Sequence, residues 1–135
     1  MEYDLHSNID ERVAMTPALI NSNTTTVGAI IDTHGYGSIE FIAIAGTITD
    51  GAYAFKIEDG DDSGLSDAAD VSATLLLGAL TGFALTDDNT AKRVGCISKK
   101  RYVRLSVVST AVTTGVNMFS AVAVLGHPDT APVAQ

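Results

Sequence analysis

The residues best spaced to do chemistry lie between Asp59 and Asp70, in the run Asp-Gly-Asp-Asp-Ser-Gly-Leu-Ser-Asp-Ala-Ala-Asp. Asp59, Asp61, Ser63, Asp67 and Asp70 fall at positions 1, 3, 5, 9 and 12 of a twelve-residue loop, with Gly64 at position 6. An EF-hand-type loop uses this spacing to wrap six to eight oxygens around calcium, the glycine permitting the bend. Three details oppose a calcium site. Ser66 stands where an apolar residue usually anchors such a loop, Asp70 replaces the usual bidentate Glu, and the preceding segment reads as a strand rather than a helix. A solvated hairpin loop rich in Asp, Gly and Ser has the same composition for turn reasons alone. Calcium is therefore the one ion to consider, and no other cofactor is expected.

For nucleophilic catalysis the chain offers Cys96, with His6, His34 and His127 as bases, but none sits in a recognisable local signature. Cys96 lies between Gly95 and Ile97 in a strand-like segment, where a small buried hydrophobe is the ordinary occupant. His34 stands beside turn glycines, and His6 and His127 lie in terminal segments. No catalytic residue is expected and the chain reads as a non-enzyme. A single cysteine forms no internal disulfide, which fits assembly in a reducing compartment.

The formal net charge is −8, from 16 acidic and 8 basic residues, so a nucleic-acid partner is disfavoured. The charges are segregated along the chain. Lys92, Arg93, Lys99, Lys100, Arg101 and Arg104 hold six of the eight basic residues, whereas nine of the 16 acids lie between Asp50 and Asp88. Lys99, Lys100, Arg101 and Arg104 therefore suggest an oriented contact with an acidic protein surface. Only 18% of residues are charged and 46% are hydrophobic, a sparse surface charge that suits coverage by other subunits. No signal-peptide pattern and no apolar run of about 20 residues is present, so neither export nor a membrane partner is expected.

The elements that would position these residues follow from a period of two. Residues 1–23 read as an extended arm, with a short helical turn over Asp10–Ala14, whose Val13, Met15, Leu19 and Ile20 would lie on its own domain or a neighbour. Residues 24–126 read as a single β domain and 127–135 as a tail. Strands are expected at 24–32, 38–49, 52–58, 91–97, 101–109 and 116–125, with 71–80 open between strand and helix. Asp50-Gly51 and Ser98-Lys99-Lys100 suggest hairpins that pair the strands flanking them. In 38–45 one face is fully apolar and the other becomes so halfway. The nearly continuous apolar run 116–125 reads as a central strand covered on both faces. Short strands with turn signals every 8–12 residues point to an antiparallel β-sandwich or small barrel.

Four phrases carry a resemblance: Gly35-Tyr36-Gly37-Ser38-Ile39-Glu40-Phe41, Gly46-Thr47-Ile48-Thr49-Asp50-Gly51, Lys100-Arg101-Tyr102-Val103-Arg104-Leu105 and Ala123-Val124-Leu125-Gly126-His127-Pro128. Together they resemble the capsid decoration, or cement, proteins of tailed bacteriophages of the Bordetella podovirus type, over residues from about Thr24 to Pro132. The resemblance implies a jelly-roll-like β-sandwich that binds the outside of the capsid as a homo-dimer or homo-trimer, with the major capsid protein as partner. It implies no catalytic residue. Such a protein would be made in the bacterial cytoplasm and end on the outer capsid surface. The alternatives are a head–tail connector or tail component, which needs ring symmetry, and a free carbohydrate-binding sandwich. The last would want exposed aromatic residues, and the chain has no Trp.

Overall fold

A computed structural model describes residues 4–134; the first three residues of the expected arm and the last residue of the expected tail lie outside that range. The strands are β1 (Asp10–Ile20), β2 (Thr25–Asp32), β3 (Tyr36–Ile48), β4 (Ala52–Gly60), β5 (Ala69–Asp70), β6 (Leu76–Leu77), β7 (Ala91–Cys96), β8 (Tyr102–Thr110) and β9 (Val116–Pro128). Short 3-10 turns at His6–Asn8 and Ala73–Leu75 complete the described elements. One sheet has the order β1-β9-β3-β7-β6 and the other β2-β8-β4-β5, all pairs antiparallel.

This is the expected antiparallel sandwich, and its pairing is that of a jelly roll. Four pairs are nested in sequence: β1 with β9, β2 with β8, β3 with β7, β4 with β5. The chain is thus one long double strand, wrapped so that successive levels fall in alternate sheets. Its tip is the loop after Gly60, which makes the acidic stretch a solvated hairpin loop.

The wrapping corrects both expected hairpins. β3 and β4, joined through Asp50-Gly51, lie in different sheets, and so do β7 and β8, joined through Ser98-Lys99-Lys100. Both turns are corners from one sheet to the other. At the first, Gly51 takes a φ of +93° that glycine adopts without strain. The Asp50 carboxylate accepts the backbone N–H groups of Thr113, Thr114 and Gly115, the last at 2.8 Å, and also the Thr113 hydroxyl. Asp50 therefore ties the β3–β4 corner to the β8–β9 corner, and the Tyr53 hydroxyl donates to its carbonyl at 2.7 Å. At the second corner the Ser98 hydroxyl donates to buried Asp59 at 2.5 Å and accepts from the Lys100 N–H.

Between the sheets Ile39, Phe41, Ala43 and Ala45 of β3, Tyr53, Phe55 and Ile57 of β4, Val103, Leu105 and Val107 of β8, and Phe119, Ala121, Ala123 and Leu125 of β9 are buried. In β3, β4 and β8 these are the alternate positions that a period of two turns to one side. Residues 71–80, left open between strand and helix, form a 3-10 turn, the two-residue β6 and irregular chain, and residues 81–90 continue without a strand or helix. They close the side of the sandwich left open by the short β5 and β6. Phe83 exchanges both backbone hydrogen bonds with Tyr53 at 2.9 Å, and its ring stands edge-on to Phe55 at 5.8 Å and Phe119 at 5.5 Å. One loop residue thus packs against both sheets.

The N-terminal stretch differs most from expectation. Asp10–Ile20 is no free arm and has no helical turn; it is an edge strand paired with β9 from Asp10↔Leu125 to Ile20↔Val116. Pro17, which would remove a ladder bond inside a sheet, is tolerated at an edge where register shifts occur on either side. β9 runs on to Pro128, past the expected domain limit at 126, and the Val133 N–H bonds the Ser7 carbonyl at 2.9 Å, so the two ends of the chain meet.

Candidate interaction surfaces

The acidic loop uses its oxygens on itself. Asp67 accepts the N–H groups of Asp61 and Asp62, and Asp62 accepts those of Gly64 and Ser66. These bonds hold both carboxyls below the usual carboxylate range. Asp59 points inward to Ser98, while Asp70 faces Lys56 at 3.8 Å. The five residues spaced for calcium are thus not gathered: Asp59, Asp61, Ser63, Asp67 and Asp70 are divided between the core side, the loop and the rim. Among the described residues no three His, Cys, Asp or Glu side chains are placed to hold a metal ion.

The basic stretch is divided too. Arg101 makes a two-pronged pair with Asp32, 2.8 Å on each arm, and lies over the Tyr102 ring. The pair lowers the Asp32 carboxyl to about 2. Arg104 turns to the outer face of β8 and meets Glu58 at 3.1 Å. Lys99 and Lys100 enter no ion pair among the described residues, and beside them Ile97 is exposed at the same corner. Of the four basic residues expected to meet a partner, the two lysines are uncommitted and the two arginines are held within the fold.

Of the four apolar residues expected on the arm, Met15 and Ile20 are buried against the core, because register shifts between Val13 and Met15 and between Ala18 and Ile20 break the alternation of β1, whose Ala14 and Met15 are both buried. That corrects their assignment as contact residues. Val13 and Leu19 point out and are more than half exposed.

Val13 belongs to a larger feature, the outer face of the five-stranded sheet. Register places Val13, Val122, Ile42 and Arg93 in one row across β1, β9, β3 and β7. The next row holds Glu11, Val124, Glu40, Gly95 and Leu77, and the row on the other side holds Ser120, Ile44 and Ala91. Ile44 is 51% exposed and Leu77 45%, with Ile42, Val122 and Val124 half-buried. The expected double coverage of 116–125 and of one end of β3 is therefore not met within the chain. One face of each strand is core, and nothing in the described fold lies over the other. Around this apolar centre Glu11, Glu40 and Arg93 enter none of the ion pairs found among the described residues. Glu40 folds its carboxylate against Gly95, and partial burial raises its pKa, opposed by nearby Arg93.

A cavity of about 330 Å³ opens at the end of the same sheet, lined by Tyr36, Ile39, Glu40, Cys96, Ile97 and Val124 among others. Cys96 is buried as the sequence suggested, and burial first, then the charge of Asp59, pushes its thiol up to about 11, far from a nucleophile at neutral pH. His127 Nδ1 lies 2.8 Å from the Ser38 hydroxyl on the exposed rim. Of the described aromatic residues Phe41, Tyr53, Phe55, Phe83 and Phe119 are core, while Tyr36 and Tyr102 are half-buried beneath Arg12 and Arg101.

No family model matches the chain. No curated protein matches it either. Among solved structures it is similar to a chain in the structure of infectious bursal disease virus, Gx strain, at 15% identity and a TM-score of 0.44. The likeness covers 88% of this chain and 32% of that one, so the present chain spans about a third of the length of the protein it matches.

Proposed function

We propose that this chain is a structural subunit of a bacteriophage particle, one that binds the outside of the assembled capsid and stabilises it by bridging major capsid protein subunits. The observation that carries the assembly role is the outer face of the five-stranded sheet. It is an apolar surface across four strands, edged by charges that enter no ion pair among the described residues. A surface of this kind is stable in water only at a cost that a protein partner removes. The location on a phage capsid is supported by the phrases around Gly35–Phe41 and Lys100–Leu105, which resemble those of decoration proteins. The uncommitted Lys99 and Lys100, with Ile97 beside them, supply a second contact of basic and apolar character, suited to an acidic capsid surface.

The mechanism is linkage. A protein that binds only the assembled lattice lowers the lattice's free energy by mass action, and many copies across subunit joints add avidity. Co-sedimentation of the purified chain with empty capsids of its phage tests this. The chain should pellet with shells and not with unassembled capsid protein, and it should raise the shell's melting temperature. Lys99→Glu with Lys100→Glu should weaken that binding by about tenfold or more. Absence of any binding to shells would sink the proposal.

A further inference from the structure

We infer that the outer face of the five-stranded sheet is closed by the same face of a second copy of this chain, in a two-fold sheet-on-sheet dimer. Two independent features point to a second copy rather than to an unrelated partner.

The first is what the strands ask for. β9 and the second half of β3 carry apolar side chains on both faces: Phe119, Ala121 and Ala123 alternate with Val122 and Val124, and Phe41, Ala43 and Ala45 alternate with Ile42 and Ile44. Strands patterned in this way sit inside layered structures, covered above and below. The four-stranded sheet covers one side, and a second layer of sheet is the natural cover for the other. Sheets pack about 10 Å apart with strands within about 30° of alignment. Four strands over the length of Ser38–Ala45 present a flat footprint on the order of 500 Å². That is the centre of a standard interface, to which each partner gives about 800 Å².

The second is charge. The face holds charges of both signs that form no ion pair among the described residues, acidic Glu11 on β1 at one edge and basic Arg93 on β7 toward the other, with Glu40 between and close enough to feel the charge of Arg93. A partner of one charge sign would satisfy one edge and repel the other. A copy related by a two-fold axis running along the strands in the interface places β1 of each chain over β7 of the other and β9 over β3. Glu11 of each copy then comes within reach of Arg93 of the other, and the contact occurs twice because an isologous interface repeats every pair. Val122, Val124, Ile42 and Ile44 meet their counterparts in the middle. Glu40 stays off this centre, since its carboxylate leans on Gly95 toward β7.

This pairing presupposes the assembly role proposed above, and it is tested on the free protein without capsids. Sedimentation equilibrium of the full chain at micromolar concentrations should give about twice the 14.0 kDa chain mass. Glu11→Arg and Arg93→Glu should each weaken the dimer at least about tenfold, and the two together should restore it. Val122→Lys should give a monomer whose circular dichroism and thermal unfolding show an intact fold, as expected for a side chain on an outer face. A chain that is monomeric throughout overturns the inference. So does a dimer that survives both single reversals and Val122→Lys. If the monomeric chain still binds shells, the assembly role stands and the face belongs to the capsid; if the chain dimerises and binds no shell, the dimer stands and the capsid role fails.

Discussion

The two outer faces of the sandwich share one strand geometry and differ in how their polar groups are used. On the four-stranded sheet, register brings Ile30, Arg104, Glu58 and Asp70 into one row and Val27, Ser106 and Lys56 into the next. Its charges are settled within the chain: Arg104 meets Glu58 at 3.1 Å, and Lys56 lies between Glu58 and Asp70 at 3.7 and 3.8 Å. On the five-stranded sheet the centre is Val and Ile, and Glu11, Glu40 and Arg93 are left open. One face is finished by its own ion pairs and needs only water. The other is finished only when something lies on it. Exposed apolar residues alone are ordinary on protein surfaces; contiguity across four strands together with unspent charges is what separates the two faces.

The comparison fails first if the layer between the faces is lost. Phe119→Ala removes the ring that stands edge-on to Phe83 and should cost about 3–5 kcal/mol in denaturant unfolding, disordering both faces together. A cost below about 1 kcal/mol would mean that the aromatic chain through Phe83 does not hold the sheets together.

The next effect is asymmetric between the faces. Glu58→Ala strands Arg104, whose side chain is four-fifths buried, and should cost about 1–2 kcal/mol in the monomer, discounted for partial exposure. Arg93→Ala on the other face should change monomer stability by less than about 0.5 kcal/mol, because Arg93 is exposed and forms no ion pair among the described residues. Equal costs would erase the distinction.

Acid should weaken the corners. The hydrogen bonds from Arg101 lower Asp32 to about 2, and those from the Thr113 hydroxyl and the Gly115 N–H lower Asp50 to about 2. Carboxyls held below their unfolded value of about 3.9 contribute stability that is fully present above that value and is lost as pH falls toward 2. The melting temperature should therefore drop between about pH 4 and pH 2, and Asp32→Asn with Asp50→Asn should flatten that drop while lowering stability at neutral pH. An unchanged acid slope in the double variant would show that these carboxyls are not the groups responsible.

The smallest effect has the opposite sign. Ser106 is 1% exposed and its hydroxyl has no hydrogen-bond partner. Ser106→Ala removes a buried, unsatisfied group and should be neutral or stabilising by up to about 1 kcal/mol in thermal unfolding. A loss of stability would mean that the hydroxyl is bonded after all.

Much of this molecule was legible in alternation. The inward faces of β3, β4 and β8 follow from Phe41, Ala43 and Ala45, from Tyr53, Phe55 and Ile57, and from Val103, Leu105 and Val107, because side-chain direction in a strand is a local property of the backbone. The partners of those strands were not legible. Asp50-Gly51 has the composition of a tight hairpin, yet its carboxylate serves a turn 63 to 65 positions away. Lys99-Lys100 likewise joins strands of different sheets. The role of Phe83 had only one sequence signal, a lone aromatic in a stretch otherwise of Leu, Gly, Ala, Thr and Asp. The candidate surface was half visible: the apolar run 116–125 and the apolar second face of β3 signalled a need for cover, whereas Val13 and Leu19 were not distinguished from Met15 and Ile20. Met15 and Ile20 were misassigned because a stretch holding Pro17 and several charges reads as an arm until β9 is known to pair with it.

By itself, then, the sequence determined an antiparallel β sandwich or barrel, the face that β3, β4 and β8 turn inward, and an apolar demand on both sides of β9 and part of β3. Each of these depends on neighbours two positions apart. Only the tertiary structure decided that strands pair in nested order, that the basic stretch is divided between ion pairs and free lysines, and that the second apolar face is left open. Pairing joins segments more than a hundred positions apart, as in Asp10↔Leu125, and which charges are neutralised depends on what the wrapping brings into register.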